Sequence, residues 1–80
     1  MADTIGTELI DALINQYRGN IAAARANVRV YLENPAGIGE HPDVVAAIDT
    51  QIEIIASNQE KIDVLNSKRH NFSGRKYPVE

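Results

Sequence analysis

Eighty residues with 44% hydrophobic content, eight basic and eleven acidic side chains and a formal charge of −3 describe one small domain, too apolar in composition for a disordered chain. The chain has no cysteine, which excludes disulfide frameworks, cysteine-ligated zinc and thiol catalysis. No apolar run approaches the roughly 20 residues that span a bilayer, and Met1-Ala2-Asp3-Thr4 lacks the basic-then-apolar order of a signal peptide, so a soluble cytoplasmic protein without membrane contact is expected.

The first periodic stretch places Ile14, Ile21 and Val28 seven apart, with Ile10, Tyr17, Ala24 and Tyr31 between them. This alternation of three and four is the seam of a coiled coil. Gly19 costs about 1 kcal/mol in a helix interior, but it falls on the outer face and leaves the heptad phase unshifted. One helix is therefore predicted from about Thr4 to Glu33, with Asp3 or Thr4 as its N-cap. Asn34-Pro35-Ala36-Gly37-Ile38-Gly39-Glu40-His41 follows as a loop, because Pro35 disfavours helical geometry at Asn34 and the two glycines permit a tight reversal.

The second helix is predicted from about residue 42 to 68. Pro42 suits the first helical position and Asp43 the positive end of the helix dipole, while Lys68, Arg69 and His70 suit the negative end. Its seam reads Val45, Ile48, Ile52, Ile55, Gln59, Ile62 and Asn66, again at alternating spacings of three and four. A turn centred on Ile38 then sets Tyr31 against Val45, Val28 against Ile48, Ala24 against Ile52, Ile21 against Ile55, Tyr17 against Gln59, Ile14 against Ile62 and Ile10 against Asn66. The fold class expected is all-α: an antiparallel two-helix coiled-coil hairpin over residues 1–68, followed by a flexible basic tail over 69–80.

The two sides of such a hairpin differ in chemistry. One carries Glu8, Asp11, Arg18, Arg25, Arg29, Asp49, Glu53, Glu60 and Asp63, with Arg25 near enough to Asp49 for an ion pair. The other gathers Leu9, Leu13, Gln16, Asn20, Ala23, Asn27 and Val30 from the first helix, and Val44, Ala47, Gln51, Ile54, Asn58 and Leu65 from the second. None of these is charged, and Lys61 stands at the margin. Small, amide and aliphatic residues at helical spacing suit a helix–helix interface. At this length a lone core rarely contributes more than about 3–5 kcal/mol, so the expectation is a homodimer in which two hairpins form a four-helix bundle. A monomer with a weakly polar face and contact with a different protein are the alternatives.

Catalysis finds little support. His41 and His70 are the only histidines, and neither belongs to a recognisable triad or paired-acid motif. Asp49 with Glu53, and Glu60 with Asp63, share a helix face, but solvated acidic surface explains them better than a divalent ion. Gly37-Ile38-Gly39 has neither the preceding strand nor the following Gly-Lys-Ser/Thr of a phosphate loop. No catalytic residue, metal ligand or cofactor is assigned. The net charge averages an acidic body, −6 over residues 1–65, with a tail of +3 over 66–80. In that tail Lys68, Arg69, Arg75 and Lys76 interleave with Phe72 and Tyr77, a pattern that neutralises phosphates and stacks on unpaired bases. Nucleic-acid contact through these six residues is the alternative function, opposed by the acidic body.

The stretch from Tyr31 to Asp49, YLENPAGIGEHPDVVAAID, followed by Ile62-Asp63-Val64-Leu65, resembles small helical-hairpin proteins of T4-type phages and marine cyanophages. It is similar to the hairpin protein encoded beside the phage UvsW recombination helicase, over roughly residues 10–66. The resemblance implies a non-enzymatic accessory role in phage DNA recombination, repair or replication, in the cytoplasm of a host cell, with a phage or host protein as partner. It carries over no DNA-contact residue.

Overall fold

The computed structural model describes residues 4–34 and 43–68. They form two helices, α1 over Thr4–Glu33 and α2 over Val44–Ser67, packed against one another. No strand occurs among the described residues.

α1 runs without interruption through Gly19, helped by Ala22, Ala23, Ala24 and Ala26, the residue type with the best helix propensity. Its last turn closes with the Asn34 amide donating to the Val30 carbonyl at 2.7 Å, immediately before Pro35. The expected N-cap at Thr4 is displaced, since Thr4 is itself helical; Asp3 lies outside the described residues. α2 starts at Val44, slightly later than predicted, with Asp43 as its N-cap. The Asp43 carboxylate accepts from the Ala46 amide at 3.0 Å, and its carbonyl accepts from Ala47 at 3.1 Å. An Asp so placed satisfies one of the free donors of the first turn. At the other end Lys68 is the C-cap, its amide donating to Val64 at 3.0 Å. Pro42, the loop from residue 35 to 41, and the tail from Arg69 onward lie outside the described residues.

The core is a single aliphatic seam. Ile10, Ile14, Ile21 and Ile62 form a buried cluster, with Tyr17, Ile55 and Leu65 packed against it and Ala24 buried further along. Every seam position predicted for α1 is buried or half-buried, from Ile10 to Tyr31. No large side chain among the described residues is wholly withdrawn from solvent. Two helices side by side make one layer, and one layer can cover an apolar stripe only from one direction.

The α2 seam departs from expectation by one residue at alternate positions. Val45 is 80% exposed and Ile52 48%, and Gln59 and Asn66 are also exposed. Their places are taken by Val44, Gln51, Asn58 and Leu65, which join Ile48, Ile55 and Ile62 in a seam with the same three-four spacing. The pairs that meet across the hairpin are Asn20 with Asn58, Asn27 with Gln51, and Tyr17 with Lys61. Each pair has residue numbers adding to 78, against 76 for a turn centred on Ile38. The exchange moves Leu65 in place of Asn66 beside the isoleucine cluster and gives two buried or half-buried amides partners on α1. In return it leaves Val45 and Ile52 on the surface. The predicted Tyr17–Gln59 pair is replaced as well: Gln59 donates to Asp63 along its own helix at 3.1 Å, and Lys61 Nζ sits 5.3 Å from the centre of the Tyr17 ring.

Candidate interaction face

The uncharged side of the hairpin is built around two amide bridges. Asn20 donates from Nδ2 to Asn58 Oδ1 at 3.0 Å, and the Asn58 amide group donates in turn to the Ile54 carbonyl at 2.7 Å. One heptad toward the turn, Asn27 donates to Gln51 Oε1 at 3.1 Å. Asn58, 6% exposed, is the buried polar residue among the described residues. A buried amide left without partners would cost about 1–3 kcal/mol; here it has two. Between the bridges lies a shallow groove lined by Asn20, Ala23, Ala24, Asn27, Gln51 and Ile54. Alanine side chains at its centre leave room for another chain to approach.

Beyond the bridges the same side becomes apolar. Toward the open end Leu9 and Leu13 continue the stripe at helical spacing, with Leu9 66% exposed, and across from them Val64 and Leu65 line a groove with Tyr17, Glu60 and Lys61. Toward the turn, Val30 is exposed beside half-buried Ala47. The thirteen residues predicted as a dimer face therefore divide into two groups. Leu9, Leu13, Gln16, Ala23 and Val30 are exposed, whereas Val44, Gln51, Asn58 and Leu65 are drawn into the seam of the hairpin itself. Asn20 and Asn27 bridge the two groups, and Ala47 and Ile54 are half-buried at the boundary. The signal for the bridges is present in the sequence: Asn20 and Asn27 are one heptad apart on α1, as Gln51 and Asn58 are on α2.

The opposite side is charged. Arg18 and Arg25 line a groove with Gln59, Asp63 and Asn66, and Arg29 pairs with Glu33 within α1 at 3.3 Å, both largely exposed. Such an exposed pair contributes well under 1 kcal/mol. The expected Arg25–Asp49 ion pair does not form, because the register sets Arg25 level with residues near 53, a helical turn from Asp49, or about 6 Å. Leu32, Val45 and Ile52 are also exposed.

Among the described residues no three His, Asp or Glu side chains converge as a metal-ligand set, and no helix is long and apolar enough to cross a membrane. Of the six residues proposed for nucleic-acid contact, Lys68 is the exposed C-cap of α2; Arg69, Phe72, Arg75, Lys76 and Tyr77 lie outside the described residues, as do His41 and His70. No family model, curated protein or solved structure matches this chain.

Proposed function

We propose that this protein is a non-enzymatic interaction module that works as a homodimer, two hairpins joining their uncharged faces in a four-helix bundle. One observation carries the reading: on the side of the hairpin bearing the amide bridges α1 holds no charge from Leu9 to Val30, with Lys61 of α2 over the Tyr17 ring as the flanking cation, and leucine and valine are exposed at both ends. A solvated face of a two-helix hairpin has no reason to exclude charge, whereas the centre of a helix–helix interface does. The dimensions agree. α2, at 24 residues, is about 36 Å long, and two adjacent helices are about 20 Å wide. The face offers roughly 700 Å² per partner, close to the roughly 800 Å² of a standard stable interface. A second copy also supplies the second layer that the seam lacks.

The resemblance of the Tyr31–Asp49 segment to small phage hairpin proteins supports an accessory setting in phage DNA recombination, repair or replication, in the host cytoplasm, in contact with a phage or host protein. Sedimentation equilibrium at micromolar concentration tests the dimer: the mass expected is twice 8.8 kDa. Ala23→Glu and Asn20→Lys, each placing an unpaired charge at the centre of the face, return it to 8.8 kDa. A native chain sedimenting as a monomer overturns the reading.

A further inference from the structure

We infer that residues 69–77 of this chain fold back along the outer face of α2, the face turned away from α1, and set their cations against its carboxylates. That face has no partner among the described residues. Ile48, Gln51, Ile55, Asn58, Ile62 and Leu65 are the α2 side chains drawn toward α1. About half a turn around the helix, Glu53, Ala56, Ser57, Glu60 and Val64 are exposed. Asp49, Glu53 and Glu60 make no hydrogen bond or ion pair between side chains with any described residue. Asp49 and Glu53 stand one turn apart, as do Glu60 and Asp63, and like charges at this spacing repel. Lys61, the cation within α2, is turned to the Tyr17 ring. The same face is partly apolar: Ile52 and Val64 are 48% and 47% exposed at its edges. Two shallow grooves meet at Ser57 and Glu60, one running past Ala56 to Asp49 and the other toward Val64 and Leu65.

Charge and reach select the occupant. The tail over 66–80 carries +3 and the body −6, and Arg75 and Lys76 lie between Phe72 and Tyr77. On α2, Val64 and Ile52 are about 18 Å apart along the axis; Phe72 and Tyr77 in extended chain span about 17 Å. Val64 lies only about 6 Å back from Lys68 along α2, so the residues from Arg69 to Phe72 suffice to reverse the chain. Phe72 then reaches Val64 and Tyr77 reaches Ile52, while Arg75 and Lys76 pass over Glu60 and Glu53. Gly74 permits a departure from strict extended alternation, so that both rings meet the helix. Glu80, the acid of the tail, falls beyond the docked segment. A polyanion would be repelled from this face, and a separate basic peptide would compete with a segment tethered at millimolar effective concentration. Docking also holds the cations and rings assigned to nucleic-acid contact against the chain's own carboxylates, so that a polyanion gains them only by displacement.

The chain has no cysteine, so Val79→Cys in the full chain carries a single nitroxide label, and amide signals of isotope-labelled protein are compared with the nitroxide oxidised and reduced. At low salt the signals of Asp49 to Ala56 are expected to lose more than half of their intensity. They should recover it in high salt, where surface charges are screened, and when Glu53→Gln and Glu60→Gln are combined, circular dichroism checking that the helices remain. In an equilibrated mixture of nitroxide-bearing chain without isotope and isotope-labelled chain without nitroxide, the same signals are expected to stay sharp. Broadening confined to Asn66–Lys68, beside the point where the tail leaves α2, overturns the inference. So does broadening of Asp49–Ala56 that neither salt nor the paired substitutions reduce. Broadening in the mixture assigns the face to the tail of a second chain, and overturns it as well.

Discussion

Asn58→Asp puts a carboxylate where the hairpin has almost no solvent, and so tests the register of α2 directly. The native amide group is 6% exposed and makes two bonds, accepting from Asn20 at 3.0 Å and donating to the Ile54 carbonyl at 2.7 Å. The carboxylate keeps the first bond. It loses the second and sets a charged oxygen against that carbonyl. A lost hydrogen bond costs about 1 kcal/mol, and a poorly compensated buried charge costs more; nearby water in a one-layer structure limits the total to about 2–4 kcal/mol. For a chain of this size that lowers the melting temperature by on the order of 10–20 °C at fixed protein concentration. Burial raises the folded-state pKa of the new carboxyl above the ordinary value of about 3.9. The penalty is therefore full above the folded pKa and disappears as pH falls below about 4, where both states carry the proton. Gln59→Glu, one residue along and exposed, loses its bond to Asp63 and sets two carboxylates one turn apart, which should cost about 0.5 kcal/mol at pH 7 and less at pH 4. Thermal unfolding by circular dichroism at pH 7 and pH 4, each variant against its parent, reads both. A tolerated Asn58→Asp beside a damaging Gln59→Glu would refute the register.

Further consequences are equally concrete. Ile62, 5% exposed in the isoleucine cluster, should cost about 2–4 kcal/mol when cut to Ala, whereas Val45→Ala should fall within about 0.5 kcal/mol; equal losses in urea titrations contradict the seam described. A Cβ at Gly19 meets nothing within 4 Å, so Gly19→Ala should stabilise the chain by about 0.5–1 kcal/mol, and a loss of stability would mean that this surface is covered. Removing the Asp43 cap with Asp43→Ala should cost about 1 kcal/mol, seen as early fraying of α2 in amide exchange; unchanged protection there would show that the cap is dispensable. Asn20→Ala and Asn58→Ala should couple by about 1 kcal/mol in a double-mutant cycle, and strict additivity would remove the bridge from the account.

The helices themselves are legible from the heptads, and so is the whole α1 seam, because Ile10 to Tyr31 offers a single apolar stripe. α2 offers two overlapping stripes. Ile48, Ile55 and Ile62 belong to both, and the choice lies between Val45, Ile52, Gln59, Asn66 and Val44, Gln51, Asn58, Leu65. Hydrophobicity favours the first set through Ile52. The second prevails in the structure through interactions between helices: Asn58 and Gln51 find Asn20 and Asn27, and Leu65 reaches the Ile10–Ile14 end of the cluster. Periodicity within one helix contains no such term, so four of the six residues expected on the dimer face of α2 prove to be the inside of the hairpin. What remains outside, from Leu9 through Ala23 to Val30, still has no charge.

Whether the seam is completed by a second copy is read most directly from the unfolding midpoint as a function of chain concentration. A hairpin that folds by pairing with itself through this face gains stability by mass action. Its melting temperature should rise steadily as concentration increases from the low micromolar range a hundredfold, and Ala23→Glu should abolish the dependence. A midpoint that stays constant over that range, with the native chain fully helical throughout, would contradict the account.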